Sequence, residues 1–406
     1  MVALVAQLNL DGQPIDAGSG NTYAVAGVNI SDADRVVKAI KPICERTFDP
    51  NVITGVGPFA PAISLKVLRD LDIKNPWQAM LVPSTDGPGT LPSVAKTARL
   101  AGVRRTLVPV AYSTAQHCFA DIACTGARPC LLMNNISDTE MDLDEHVEIV
   151  EGLVIACEEF EPCVKLPGGE CAQLGSIIQP GQIDFSVTVV GFVDQTEHIN
   201  PHERIRPGDI FVGIGSGGPE LNGISLIRKI LRDLEIKITD QFAPTGGTVA
   251  EVLLDYQPNF ASAVHMLLDA SARITGAANI TGGGLFDNQL RNLPANCRAI
   301  FDPASWRPAP IFPWLVEQGQ VELVEAYHTW NMGLGYVLSF PSLQMAESAV
   351  DLINDLFEDG NGDGVDIGAS IIGRIEEGKQ GVEIVGVGSN EADGRLYYPD
   401  GTLYEG

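Results

Sequence analysis

Hydrophobic residues follow strand and helix spacings in turn along this chain, which is typical of α/β proteins. The apolar run at 210–214 indicates a strand, and apolar residues then recur at helical spacing from Leu226 to Leu231. Glycines fill the turn between them, and Asn222 stands where a helix N-cap is expected. A strand, a glycine-rich turn and a helix start together present backbone N–H groups to an anion, so phosphate is the predicted ligand of this turn.

The same spacings predict the other elements and a division into two domains. Strands are expected at 80–83, 130–134, 163–166, 184–194, 277–280, 298–301, 334–340, 367–375 and 382–385. Helices are expected at about 31–47, 112–125, 143–160, 248–255, 285–293, 311–318 and 343–357. The pattern is lost at 195–207, which predicts an N-terminal domain at 1–205 and a C-terminal domain at 206–385. Residues 386–406 are rich in Gly, Asp and Tyr and are predicted to form a flexible tail.

Small residues also fill two other turns, at 84–90 and 280–284. Glycine at a strand-to-helix turn often serves only to make the corner, and that interpretation stays open for each turn taken alone. Three such turns are more than the corners of one fold need, which favours a shared binding role.

The formal net charge of −26 argues against non-specific binding of nucleic acid, because Lys and Arg supply most of that affinity. A phosphate-bearing ligand therefore needs a local electropositive pocket or a divalent cation, and we favour the cation.

No apolar run approaches the roughly 20 residues that span a bilayer, which predicts a soluble, cytoplasmic protein with no membrane partner. The eight cysteines contain no Cys-x-x-Cys pair and predict reduced, buried thiols. The acidic run at 359–364 is similar to the start of an EF-hand, but Ser370 replaces the required Glu, which favours a solvated turn.

Several motifs occur in a fixed order over about residues 21–385. They are Ala26-Gly27-Val28-Asn29-Ile30, Thr85-Asp86-Gly87 with Gly89-Thr90, Gly126-Ala127 with Pro129, Gly168-Gly169-Glu170, Gly218-Pro219 with Asn222-Gly223, Ala243-Pro244-Thr245, and Thr281-Gly282-Gly283-Gly284. This set resembles the phosphoribosylformylglycinamidine cyclo-ligases, also called aminoimidazole ribonucleotide (AIR) synthetases. The resemblance implies an AIR-synthase-like fold of the α/β (α+β) class, with two domains. It also implies a homodimer in which two N-terminal domains pair into a shared β-barrel.

The resemblance implies the reaction and the site as well. ATP phosphorylates the amide oxygen of formylglycinamidine ribonucleotide, and an internal nitrogen then closes the imidazole ring of AIR in purine biosynthesis. The implied cofactors are ATP and Mg²⁺. Asp86, Asp121 and Glu170 are predicted to be catalytic, with Asp86 and Asp121 as metal ligands. The residues predicted to bind the nucleotide or to line the site are Lys41, Thr85, Gly87, Gly89, Thr90, Gly217, Gly218, Asn222, Ser225, Gly282, Gly283, Gly284, Asn288 and Asn331.

The chain departs from the family pattern at positions that carry chemistry. Leu91 replaces a Lys, Ala120 replaces an Asn, and Glu220 and Asn279 replace two His residues. These losses leave two alternatives to a working cyclo-ligase open. One is a non-catalytic member that binds a nucleotide or a partner protein, and the other is an enzyme that phosphorylates a different small substrate.

Overall fold

The computed structural model describes residues 30–175, 177–358 and 367–405. The motif at 26–29 and the acidic run at 359–364 lie outside these residues. None of the described helices is long and apolar enough to cross a bilayer. All eight cysteines are free thiols, and five of them are buried.

The described residues form helices and strands in alternation, as the hydrophobic spacing predicts, but the strand expected at 163–166 is only an isolated bridge between Lys165 and Leu131. The helices are α1 Ile30–Cys44, α2 Val67–Asp70, α3 Leu91–Leu100, α4 Leu107–Ala123, α5 Leu143–Glu158, α6 Pro201–Arg204, α7 Ile224–Asp233, α8 Val249–Leu253, α9 Phe260–Asp269, α10 Gly284–Leu290, α11 Ile311–Gly319, α12 Leu323–Thr329 and α13 Leu343–Glu358. The strands are β1 Val52–Thr54, β2 Ala62–Ile63, β3 Ala79–Asp86, β4 Arg128–Asp138, β5 Gly169–Gln173, β6 Ile183–Asp194, β7 Ile210–Gly215, β8 Gly276–Asn279, β9 Cys297–Phe301, β10 Leu334–Phe340, β11 Ala369–Glu377, β12 Gly381–Ile384, β13 Gly388–Glu391 and β14 Leu396–Tyr397.

The first half of the chain is built on a four-stranded sheet in the order β3-β6-β4-β5. β6 runs antiparallel to both of its neighbours, and β5 runs parallel to β4. The helix α4 packs on one face of this sheet, α5 packs on α4, and α1 packs on α5. Because successive side chains of a strand point to opposite faces, one residue of β3 in two is directed towards α4.

The second half is built on an eight-stranded sheet in the order β14-β13-β12-β9-β11-β7-β10-β8. The run at 210–214 becomes β7, which lies between β11 and β10 and is antiparallel to both. The helix α13 packs on β11, β7 and β10, and α10 packs against β12, β13 and α12. The glycine-rich turn after β7 leads into α7, as the sequence predicts.

The helix α4 connects the two halves. It contacts β3, β4 and β6 of the first half and β8 and α9 of the second half. Every residue of α4 except Asp121 is buried, because the helix is apolar on nearly all sides and such a helix is stable only in an interior. Polar groups on α4 are bonded from the second half: Tyr336 OH donates to Ala120 O at 3.2 Å, and Gln257 N donates to Ser113 Oγ at 3.1 Å.

Two sequence predictions need correction at helix starts. α4 begins at Leu107 rather than near Tyr112. Pro109 falls in the first turn, where backbone N–H groups have no acceptor within the helix, so the N–H that proline lacks costs no hydrogen bond. The N-cap of α7 is Gly223 and not Asn222. Gly223 has φ 67°, and a β-carbon there would lie 2.3 Å from Trp330 Nε1, so both backbone conformation and space require glycine.

The predicted flexible tail is wrong for residues 388–405. β13 pairs with β12, and β14 pairs with β13, so the tail extends the eight-stranded sheet. Asn390 is fully buried and donates from Nδ2 to Asp287 Oδ1 at 2.7 Å. Tyr404 OH donates to Glu325 Oε2 at 2.7 Å. The Gly and Asp residues serve the turns of this segment, whereas its strands depend on partners far away in the sequence and leave little local signal.

If the tail is part of the folded core, Leu396→Ala will lower the free energy of unfolding by about 2 kcal/mol, because Leu396 is 8% exposed. Leu403→Ala is the matched control, since Leu403 is 42% exposed, and we expect a loss below about 1 kcal/mol. Urea denaturation followed by circular dichroism measures both variants. Equal unfolding midpoints for the two would show that the tail does not pack on the sheet.

Candidate active site

The three small-residue turns lie close to one another at the boundary between the two halves. Thr90 Oγ1 and Ser225 Oγ are 3.2 Å apart, which joins the first turn to the second. A β-carbon added at Gly89 would lie 3.6 Å from Leu221 O, and one added at Gly282 would lie 3.9 Å from Asn222 Oδ1. The turns therefore form one surface, as a shared binding role requires.

Asp86, His117 and Asp121 lie together beside this surface. Asp86 ends β3 and is directed towards α4, whereas His117 and Asp121 are four residues apart on α4 and so share a helix face. Each residue offers one atom that could bind a metal ion, and these three atoms lie within 4.8 Å of one another. Asp86 Oδ2 is 3.2 Å from His117 Nε2.

The carboxylate of Asp121 is held from both halves of the chain. Ser84 Oγ on β3 donates to Asp121 Oδ2 at 3.1 Å. Asn279, which ends β8, donates from Nδ2 to Asp121 Oδ1 at 2.9 Å and to His117 O at 3.3 Å. Two separate sheets thus fix the orientation of one carboxylate.

The charges of this cluster stabilise one another. Burial opposes ionisation of Asp86, but the hydrogen bond and charge of His117 and the Gly87 N–H hold the pKa of Asp86 below its ordinary value. Burial also disfavours the charged imidazole. The hydrogen bond to Asp86 and the carboxylates of Asp121 and Glu220 outweigh that effect and raise the pKa of His117. The hydrogen bond between Asp86 and His117 therefore favours the charged form of each residue.

A cavity of about 340 Å³ lies against this cluster. It is lined by Asp86, His117, Asp121, Cys124, Ala277, Ala278, Asn279, Thr281, Asn288, Arg291 and Asn292. His117 Nδ1 and Asn279 Oδ1 are buried and have no hydrogen-bond partner within the described part of the chain. Buried polar atoms are normally paired, so these two mark a place where a ligand can bind.

Comparison with known proteins identifies the family. The family profile described as AIR synthase related protein, N-terminal domain, matches residues 78–193, and that of the C-terminal domain matches residues 206–386. The phosphoribosylformylglycinamidine cyclo-ligase of Trichlorobacter lovleyi is 37% identical over 319 residues, which cover 78% of this chain and 87% of that protein. The chain belongs to the phosphoribosylformylglycinamidine cyclo-ligase family. The enzyme of the same name from Coxiella burnetii is 33% identical over 317 residues, covering 78% of this chain and 85% of that protein.

Solved structures agree with the family in fold. The thiamine-monophosphate kinase of Stenotrophomonas maltophilia K279a superposes with a TM-score of 0.60 at 15% identity, covering 88% of this chain and 96% of that one. The hydrogenase maturation protein HypE of E. coli superposes with a TM-score of 0.58 at 13% identity, covering 91% and 98%. The predicted family and the two-domain α/β fold class are both confirmed.

The structure does not bring Glu170 to the other two predicted acids. Glu170 on β5 is paired with Asn135, which in turn is paired with Ser186 of β6. Asp86 is paired with the next residue of β6, Val187, and adjacent residues of a strand point to opposite faces. Glu170 therefore lies on the face of the sheet opposite the cavity, and it cannot share a metal ion with Asp86 in the same chain.

The other predicted residues of the first half lie in different surroundings. Lys41 is exposed on α1, which packs on α5, and is not among the cavity residues. Thr85 Oγ1 donates to Val187 O at 2.8 Å, and its side chain lies on the outer face of the sheet. Gly87 is beside the cluster, where its N–H donates to Asp86 Oδ1 at 2.7 Å.

The predicted asparagines of the second half hold the turns in shape. Asn288 Nδ2 donates to Gly284 O at 2.8 Å and to Gly282 O at 3.3 Å, which closes the third turn. Asn331 is 1% exposed and donates from Nδ2 to Gly218 O at 3.0 Å, within the second turn next to Gly217. Gly283 and Gly284 have φ values of 90° and 57°. These residues fix the backbone of the second and third turns.

Sequence reasoning missed two residues of the site. His117 lies one helical turn before Asp121, and that spacing on a predicted helix was the signal available for it. Arg291 follows α10, is exposed, and lines the cavity. Apart from His117, it is the one cationic residue among the described lining residues.

The positions that depart from the family pattern are buried in this chain. Leu91 is 2% exposed and Ala120 is fully buried. The lysine and the asparagine of the family pattern are therefore replaced by apolar side chains that pack in the core. Glu220 is 7% exposed with φ 53°, and its Oε1 accepts a hydrogen bond from Ser216 Oγ at 2.8 Å. Its Oε2 has no partner in the part of the chain that the structure describes. Burial raises the pKa of Glu220 to about 7, against the opposing effects of Ser216 and of the charge on His117.

Glu220 makes the stability of the fold depend on pH. Because its pKa rises from 4.5 to about 7 on folding, the folded chain keeps a proton that the unfolded chain releases. The resulting stabilisation is complete below about pH 4.5 and is lost as the pH rises through 7. Each pKa unit is worth about 1.4 kcal/mol, so between pH 5 and 8 the loss is roughly 2 to 3 kcal/mol.

We expect Glu220→Gln to remove this loss, because Gln carries no proton to release. The free energy of unfolding of the variant, relative to wild type, will therefore rise by that amount between pH 5 and pH 8 in urea titrations. Glu347→Gln changes an exposed carboxylate on α13 and serves as the control with no such trend. Parallel pH profiles for wild type and Glu220→Gln would contradict the assignment.

Proposed function

We propose that this chain catalyses the ATP-dependent cyclisation of formylglycinamidine ribonucleotide to AIR, the reaction for which its relatives are named. One observation carries the proposal. Asp86 and Asp121, from different elements, meet at a cavity that both halves of the chain line, together with buried polar atoms that lack a protein partner. Phosphoryl transfer depends mostly on positioning and charge neutralisation, and this arrangement can provide both.

The residues present fit a nucleotide with a divalent ion. Carboxylate oxygens are the ligands that Mg²⁺ prefers, and Asp86 and Asp121 supply them. When bound, the ion neutralises phosphate charge. Arg291 adds a cation at the cavity wall, and Asn279 holds Asp121 in place. The turns at 84–90 and 280–284 bring backbone close to the ligand, so that the ribonucleotide can be oriented for attack by its own nitrogen.

A family member without this activity is the main alternative, and Leu91 and Ala120 favour it because core packing has replaced polar groups there. Such a protein would bind a nucleotide without turnover. An enzyme that phosphorylates another small substrate would release ADP only with a different acceptor. Both alternatives predict no AIR from formylglycinamidine ribonucleotide, so a single assay separates them from the proposal.

Purified protein with ATP, Mg²⁺ and formylglycinamidine ribonucleotide should release ADP and AIR in equal amounts. We expect Asp86→Asn to lower kcat/KM by at least about 100-fold, because about 2.7 kcal/mol of charge stabilisation is lost. Its melting temperature should change by only a few degrees. Asp351→Asn, on an exposed carboxylate of α13, is the matched control with wild-type activity. Absence of AIR at every salt concentration, with Mg²⁺ and with Mn²⁺, would reject the proposal, and ATP binding without turnover would favour the non-catalytic alternative.

We further propose a homodimer formed through the outer face of the four-stranded sheet. Leu81 on β3 is 59% exposed on this face, and Val190 of β6 and Met133 of β4 are half-buried beside it. These side chains form an apolar patch on a face that also carries Thr85 and Glu170, and such a patch is stabilised when a second sheet covers it. The cytoplasmic location stays a prediction of the sequence.

The dimer predicts twice the chain mass of 43.3 kDa in analytical ultracentrifugation. Leu81→Glu should shift the protein to the single-chain mass, because a carboxylate cannot be buried in an apolar interface without a partner. Leu100→Glu changes a leucine that is 89% exposed at the end of α3, and it should stay dimeric. A single-chain mass for wild type at micromolar concentration would exclude the dimer.

A further inference from the structure

The geometry of the acidic cluster includes a nitrogen donor. Asp86 Oδ2 and His117 Nε2 are 3.2 Å apart, and Asp121 lies one helical turn beyond His117 on the same face. Two donors that bind one ion at about 2.1 Å lie roughly 3.0 Å apart at a right angle and roughly 3.4 Å apart in a tetrahedron. The observed separation suits two ligands of one ion and also the direct hydrogen bond, so the third oxygen, from Asp121, and the surroundings are what indicate an ion.

Two independent features of the surroundings indicate a ligand at this point. His117 is 4% exposed and Asn279 is 6% exposed, yet His117 Nδ1 and Asn279 Oδ1 lack partners among the described residues and both residues line the cavity. Asp121 is also oriented by donors from Ser84 and Asn279. Metal-ligating carboxylates are commonly held by such outer hydrogen bonds.

The donor set distinguishes between classes of divalent ion. Mg²⁺ takes oxygen ligands and gives up its water reluctantly, whereas imidazole nitrogen binds first-row transition ions more strongly. Mn²⁺ accepts carboxylates and also imidazole, and it can bind nucleotide phosphates as Mg²⁺ does. A ligating imidazole must be neutral, so ion binding at Nε2 sends the proton of that nitrogen to solvent.

We propose that Asp86, His117 and Asp121 form a three-ligand centre for a first-row divalent transition ion of the Mn²⁺ type, with His117 as the ligand that selects it over Mg²⁺. The inference deepens the proposed function, on which it rests for the use of the ion. It does not rest on that function for the binding itself. Binding can therefore be measured without ATP or ribonucleotide.

Electron paramagnetic resonance of free Mn²⁺, added to metal-free protein, measures the binding. We expect one Mn²⁺ per chain with micromolar Kd, and Mg²⁺ at a hundredfold excess should displace less than half of it. His117→Gln should weaken binding at least 10-fold. His328→Gln is the matched control, because His328 Nε2 also lies 3.2 Å from a carboxylate, that of Asp287, but no described residue completes a three-ligand group with them within 4.8 Å. This control should bind as wild type does.

A second measurement needs no variant and so does not depend on whether His117→Gln folds. Pulsed electron paramagnetic resonance of wild-type protein with Mn²⁺ should show coupling to one imidazole ¹⁴N. Absence of that coupling, equal displacement by Mg²⁺ at equal concentration, or unchanged binding in folded His117→Gln would each overturn the proposal. A protein that makes AIR with Mg²⁺ alone and binds no Mn²⁺ would refute only this inference. A protein that binds Mn²⁺ through His117 but makes no AIR would refute only the proposed function.

Discussion

The burial of α4 between the two sheets is the constraint on which the rest of the structure depends. A helix in an interior must find partners for its polar groups, and an unpaired one costs about 1 to 3 kcal/mol. On α4 those partners come from the second half, as with Tyr336 on Ala120 O and Asn279 on His117 O. Sliding one half past the other would break these bonds together. The helix therefore fixes the relative position of the halves, and with it the position of every group in the cavity between them.

The site is one of the places at this interface where hydrogen bonding among the described residues is incomplete, and Gln116 and Gln257 also keep buried side-chain atoms without a partner. Ser113 and Ala120 on this helix accept bonds from the second half, whereas His117 Nδ1 and one oxygen each of Asn279 and Glu220 have no partner among the described residues. Glu220 also adopts a left-handed backbone conformation, with φ 53°, which is energetically unfavourable for a residue other than glycine. Unpaired polar atoms that gather beside a cavity, together with a strained backbone, are expected at a functional site.

Hydrophobic spacing was enough to predict most strands and helices, because local periodicity follows directly from burial of one face. The meeting of Asp86 and Asp121 came from the family resemblance rather than from spacing. Placing Glu170 on the opposite face of the sheet requires the register of β4, β5 and β6. The sequence does not give that register, because it depends on contacts between distant residues. The tail was misread for the same reason, since Asn390 is buried by contacts with Asp287, about a hundred residues earlier.

Charge is the remaining problem for phosphate chemistry in this chain. Two like charges 4 Å apart repel by about 4 kcal/mol at an effective dielectric of 20, so phosphates beside Asp86 and Asp121 are strongly disfavoured without cations. Leu91 fills the position of a lysine in the family pattern and is buried, which removes one source of positive charge. Arg291 is exposed and His117 is already paired with Asp86. In the proposed function the two acids can therefore serve phosphoryl transfer only as ligands of a divalent ion. The carboxylates that would repel the phosphates then bind the cation that neutralises them.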